Sequence, residues 1–127
     1  WNGTSASWLG FDRDEALCER IEAATGIRAC TSVLAFREIF ERAGQRRIGI
    51  VTPYTEDVQR RICDIWAGEG IACAAERHLD LRDNYSFAEV SEERISTLVK
   101  EVAAEGCDAV AIVCTNMQGS RIAASLE

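Results

Sequence analysis

Four stretches of this chain repeat their apolar residues every three or four positions. Leu17, Ile21 and Ala24 share one face, and Val33, Phe36, Phe40 and Ala43 a second. Val58, Ile62, Ile65 and Trp66 form a third, and Ile95, Leu98, Val99 and Val102 a fourth. This spacing predicts amphipathic helices. Gly26, Gly44, Gly70 and Gly106 follow the stretches, where a left-handed residue commonly ends a helix. Asp12, Thr31, Thr55 and Ser91 stand at the starts, with side chains able to accept from free helix N–H groups. Glu56, Asp57, Glu92 and Glu93 add negative charge at the positive end of the helix dipole.

Three other segments read as strands: 47–52, 71–79 and 109–114. The first and third are short and almost wholly apolar, as parallel strands covered on both faces are. From Thr31 onward helix and strand alternate, which predicts an α/β fold of three layers, a parallel sheet with helices on both faces. Right-handed crossovers distribute those helices. Pro53 follows a strand directly and helps to stop it, and the polar run 82–86 reads as a loop. Residues 1–6 resemble a loop that leaves a strand, and a helix starting near Gln118 is expected to run to Glu127. The chain is therefore expected to be a segment of a longer one. Residues 1–29 would form the C-terminal part of a first lobe, with a catalytic loop and helix. Residues 30–127 would form a second α/β lobe, incomplete at its C-terminus.

Composition narrows the classes. The 127 residues are 47% hydrophobic and 28% charged, which suits one soluble globular unit. A formal net charge of -7 speaks against nucleic acid and against anionic membranes as partners. No apolar run reaches membrane-spanning length. The six cysteines form no Cys-x-x-Cys pair and there is one histidine, so a metal site of standard zinc spacing is not expected. Cysteines scattered singly suit reduced thiols in a cytoplasmic protein better than a disulfide framework.

In parallel α/β sheets, ligands bind beyond the carboxyl ends of the strands. The loops Gly3-Thr4-Ser5, Thr52-Pro53-Tyr54-Thr55 and Cys114-Thr115-Asn116 qualify by position. A strand-to-helix turn offers N–H groups to an anion such as a carboxylate. Cys114 is expected at such a helix N-terminus, poised to give or take a proton at carbon. A cysteine that ends an apolar strand can equally be a small buried hydrophobe. Cys18, Cys63, Cys73 and Cys107 are assigned structural roles by their helix-like and strand-like surroundings, and Cys30 likewise. His78 is expected at an edge or surface. Trp8 and Trp66 are expected to pack.

Gly3-Thr4-Ser5-Ala6-Ser7, Thr52 to Val58, Asp83-Asn84 and Val113-Cys114-Thr115-Asn116 occur in that order. Together they resemble the Asp/Glu racemase superfamily, in the branch of maleate cis-trans isomerases and arylmalonate decarboxylases. The resemblance implies one lobe of a pseudo-symmetric two-lobed fold, with the site between the lobes and no metal or organic cofactor. It implies that Cys114 is the catalytic thiol. It also implies that Thr4, Ser5 and Tyr54 bind a carboxylate, that Asn84 holds one as in the isomerases, and that Gly3, Thr115 and Asn116 belong to the binding loops. The superfamily's other cysteine falls at Gly3, so this sequence departs from the two-thiol pattern, as the decarboxylases do.

The first reading is therefore an isomerase or racemase acting on a small carboxylate or dicarboxylate, on the strength of Asn84 and Cys114-Thr115-Asn116. The alternatives are a one-cysteine decarboxylase, supported by Gly3, and a carboxylate-binding protein without catalysis. A homo-oligomer is compatible with each.

Overall fold

Three parallel strands, β1 (Arg47–Thr52), β2 (Ala72–His78) and β3 (Ala109–Ile112), form one sheet in the order β2-β1-β3 in the computed structural model, which describes residues 1–126. The central strand β1 is buried from Ile48 onward, as its unbroken apolar run requires. Helices α1 (Ala6–Leu9), α2 (Phe11–Thr25) and α3 (Ser32–Ala43) precede the sheet. Then α4 (Glu56–Gly68) joins β1 to β2, and α5 (Asn84–Ala88) and α6 (Glu92–Ala103) join β2 to β3. After β3 come α7 (Gly119–Ile122) and a 3-10 turn at Ala123–Ser125. The first crossover runs from β1 out to β2, and the second returns past β1 to β3. Right-handed connections in opposite directions put α4 and α6 on opposite faces, which yields the three layers.

Packing explains two details of the sheet. On its way across β1, helix α6 approaches so closely that a Cβ on Gly49 would lie 2.2 Å from Val102 Cγ1. Only glycine fits there. Between Ile48 and Gly49 the register with β2 shifts, so that Ile48 faces Cys73 and Gly49 faces Ala75. The helical layer is locked by Trp66, fully buried against Phe11, Phe36 and Phe40 at centroid distances of 6.1, 5.8 and 6.1 Å. Truncating such a tryptophan to alanine costs about 3–5 kcal/mol. Around it Arg37 of α3 pairs with Glu15 of α2 and Glu69 beyond α4, at 2.6 and 2.9 Å.

Most local signals act as expected. Thr31 and Ser91 accept from the N–H groups of Leu34 and Arg94, and Gly26 and Gly44 close their helices in the left-handed conformation. Several details differ. Thr55 precedes α4, but its side chain makes no cap bond to the helix. Asp12 is not a cap: α2 begins at Phe11, after Gly10 at φ 115, because α1 ends on that same glycine and leaves no room for a separate loop. The run 82–86 is not all loop. The Asp83 carboxylate accepts from the N–H groups of Tyr85 and Ser86 and starts α5. Strand β2 loses Ile71, whose N–H goes to Trp66 O at 2.9 Å and so ends the helix instead of joining the ladder. Near Gln118 the expected long helix is one turn of α7 and a 3-10 turn, and Glu127 lies outside the described residues. Among the described residues, no helix is long and apolar enough to cross a membrane.

Candidate active site

Because the two crossovers leave in opposite directions, the carboxyl ends of β1 and β3 open onto a crevice, the usual ligand position in such sheets. Tyr54 follows β1 into this region and Cys114 follows β3. The loop at Thr4 closes over them from the N-terminal segment.

Tyr54 is held on every side. Its N–H donates to Thr52 Oγ1 at 3.3 Å, and Thr52 in turn donates to Gln59 Oε1 of α4 at 2.7 Å. The N–H groups of Asp80 and Leu81 donate to the carbonyls of Tyr54 and Pro53 at 3.0 and 2.9 Å. Its ring meets Trp8 and Phe87 edge-on, at 5.0 and 5.4 Å. The hydroxyl lies 3.2 Å from Thr4 Oγ1. Burial pushes this phenol well above its ordinary pKa, the Thr4 hydrogen bond opposes the shift, and Cys114 beside it adds to it. The hydroxyl therefore stays protonated and able to donate.

Cys114 is 8% exposed. The Val113 N–H still bonds Val51 O at 2.9 Å, and a turn then brings the Met117 N–H to Cys114 O at 3.2 Å. This corrects the expected helix N-terminus at Cys114. The turn occupies those positions, and α7 starts only at Gly119 with four residues. A Cβ on Gly119 would stand 2.9 Å from Ile112 Cδ1, so α7 sits hard against the end of β3.

A cavity of about 340 Å³ opens here, lined by Asn2, Thr4, Phe36, Cys114, Thr115 and Met117, among others. Cys114 is the one cysteine on its wall among the described residues. A second recess, of about 420 Å³, is lined by Asn84, Tyr85, Thr115, Asn116 and Gln118. The structure thus gathers Thr4, Tyr54 and Cys114 into one cluster, with Thr115 on the border of both recesses. Exposed Asn84 and half-buried Asn116 belong to the second recess. Gly3, Ser5 and Tyr54 are not on the cavity wall; Tyr54 meets it through Thr4 and Cys114. Ser5 sits at the start of α1 without a side-chain bond to it. Gly3 lies outside the left-handed region, but a Cβ there would be 2.4 Å from Trp1 Nε1.

Sequence reasoning missed Asn2, Ser32, Phe36 and Met117 as lining residues. Ser32 donates to Asn2 Oδ1 at 2.9 Å, a tie across 30 residues that local pattern does not show. Phe36 was legible only as a helix-face residue. His78 lies on the edge strand with Nδ1 3.0 Å from Glu76. Among the described residues, no group of three or more His, Cys, Asp or Glu could hold a metal ion.

Comparison with known proteins bears on the family and the fold. The family model described as Arylmalonate decarboxylase matches residues 2–127. A maleate isomerase from Alcaligenes faecalis is 27% identical over 97 residues, which is 76% of this chain and 38% of that protein. The structure of unliganded arylmalonate decarboxylase is similar with a TM-score of 0.83 at 25% identity, covering 99% of this chain and 56% of the other. The maleate isomerase Iso from Pseudomonas putida S16 has the same fold, with a TM-score of 0.89 at 21% identity, over 99% of this chain and 54% of that one. The chain thus spans 38–56% of the length of these relatives.

Proposed function

This chain belongs to the arylmalonate decarboxylase family, and from that premise we propose that it carries the thiol half of a cofactor-free carboxy-lyase site. The substrate is a small acid with two carboxylates on one carbon. The observation that carries this reading is the single thiol. Cys114 stands on the cavity wall beside Thr4 and Tyr54, while the position of the superfamily's other cysteine is Gly3. Decarboxylation needs one proton donor, whereas racemisation needs an acceptor and a donor on opposite faces.

In this reading the Thr4 hydroxyl, with the protonated Tyr54 hydroxyl bonded behind it, and backbone N–H groups near Thr115 bind the carboxylate that stays. As the C–C bond to the other carboxylate breaks, its electron pair spreads onto the retained carboxylate, and these donors stabilise the resulting enediolate. The Cys114 thiol then delivers its proton to the α-carbon. The apolar Phe36 and Met117 on the wall favour an apolar substituent and a poorly hydrated leaving carboxylate.

A second reading rests on the recess at Asn84, Thr115 and Asn116, which suits a carboxylate placed farther along a dicarboxylate, as in maleate. Incubating the protein with an arylmalonate and, separately, with maleate distinguishes the two. Release of CO2 from the first, resistant to EDTA and absent from Cys114→Ala, is expected. Fumarate from maleate with no CO2 from any arylmalonate would replace the proposal by the isomerase. Binding of both without turnover would leave a carboxylate-binding protein.

A further inference from the structure

Cys63 of α4 and Cys73 of β2 meet across the helix–sheet interface with their Sγ atoms 2.9 Å apart. Both are free and half-buried. They are ten residues apart in sequence, joined by the turn in which Ile71 ends α4. Cys73 lies opposite Ile48, where the register between β1 and β2 shifts. Such irregularities re-aim side chains, and here Cys73 is aimed at the helix. Bringing the two sulfurs to bonding distance requires them to close by under about 1 Å. We propose that Cys63 and Cys73 form a reversible dithiol–disulfide couple, a modification site separate from the Cys114 cavity.

The roles within the pair follow from its hydrogen bond. The Cys63 thiol donates to Cys73, which pushes Cys63 up in pKa, with burial and the nearby charges of Cys73, Glu76 and Asp64 adding to the shift. The same bond holds Cys73 below its ordinary value, against burial and Glu76. Cys73, which accepts the hydrogen bond, is therefore the attacking sulfur and Cys63, which donates it, the resolving thiol. With a hydroperoxide as oxidant, Cys73 attacks the outer peroxide oxygen. The O–O bond breaks, the alcohol or water leaves, and Cys73 becomes a sulfenic acid. The Cys63 sulfur then attacks the Cys73 sulfur, and the hydroxyl departs as water with the Cys63 proton. Two thiols and one hydroperoxide give one disulfide, one alcohol and one water. A dithiol reductant reverses the change.

Trypsin leaves both cysteines in one peptide, Ile62–Arg77, because no Lys or Arg lies between them. The test treats the native protein with limiting hydrogen peroxide, blocks free thiols with N-ethylmaleimide and digests it without reductant. The peptide is expected about 2 Da lighter and free of maleimide, and to take up two maleimides if reduced before blocking. The intact oxidised protein is expected to melt at a higher temperature, reversibly with dithiothreitol. Two maleimides on this peptide, at a peroxide dose that oxidises the exposed Cys30, would overturn the proposal. In Cys63→Ala, dimedone is expected to trap a sulfenic acid at Cys73. In Cys73→Ala, Cys63 is expected to stay a thiol, and its oxidation at an undiminished rate would sink the assigned roles.

Discussion

The turns after β1 and β3 leave the same end of the sheet and are built differently. The turn at Tyr54 is tied by Thr52 and Gln59 from inside, by the N–H groups of Asp80 and Leu81 from the segment after β2, and by Trp8 and Phe87 on the ring. It leads into the 13-residue α4. The turn at Cys114 has the Met117–Cys114 bond and leads into a helix of four residues, with Thr115 exposed beside it. In the proposed reading the difference matches two kinds of work. A carboxylate clamp gains from donors fixed in advance, since they cost no reorganisation in the transition state. A proton donor must instead face open space where a carbon can arrive, and the cavity lies against Cys114.

Five changes break or sharpen that contrast, from the largest effect down. Cys114→Ala should lower turnover by about 10²–10⁴-fold or more, the usual share of a positioned acid. Its melting should stay within about 1 kcal/mol of the native protein. A large loss of stability with activity retained would make Cys114 a packing residue. Tyr54→Phe keeps the ring and removes the donor, so kcat/KM should fall by the equivalent of about 1.5–3 kcal/mol. Unchanged kinetics would remove Tyr54 from the clamp.

Thr52→Val tests the brace and not the clamp. It leaves buried Gln59 Oε1 without its partner, and denaturant titration should show a loss of about 1–3 kcal/mol. No loss would mean that the turn is held by its neighbours alone. Gly3→Cys offers a thiol to the opposite face, but Trp1 stands in the way. Combined with Trp1→Ala, it should give slow loss of optical rotation from one enantiomer of a 2-arylpropionate. Fast racemisation by the unaltered protein would show that the second base lies elsewhere. The smallest effect concerns Asp108, whose carboxylate accepts from the N–H groups of Arg46 and Arg47 at 2.9 Å and pins β1 beside β3. Those bonds hold its pKa below the usual carboxylate range. The folded value is depressed, so the contribution is present above the unfolded value near ~3.9 and lost as pH falls through the folded one. In Asp108→Ala, melting temperatures should fall less steeply below about pH 4 than in the native protein.

The sheet was legible in the sequence because its strands are apolar runs with helices of clear period between them. The bounds 47–52 were read correctly for β1. The third strand was read two residues too long, since Val113 and Cys114 stay buried after the ladder ends. The cluster of Thr4, Tyr54 and Cys114 was legible as three separate loops, but not the order of contact within it. That Tyr54 stands behind Thr4 depends on 50 residues of intervening chain. The thiol pair was illegible for a related reason. Cys63 and Cys73 sit in elements of different period, and only the shift of register beside Ile48 turns one towards the other. Asp83 was an overlooked local signal, an acceptor two and three residues before the amides it caps.

The three tryptophans divide the molecule's fluorescence by depth. Trp66 has no exposed surface, Trp1 is 67% exposed, and Trp8 is half-buried with its ring 5.0 Å from that of Tyr54. Blue-shifted emission from Trp66 follows the integrity of the helical layer, and collisional quenchers reach Trp1 first. Trp8 borders the proposed carboxylate clamp, so its emission is an intrinsic gauge of whether that clamp is filled, with no label attached.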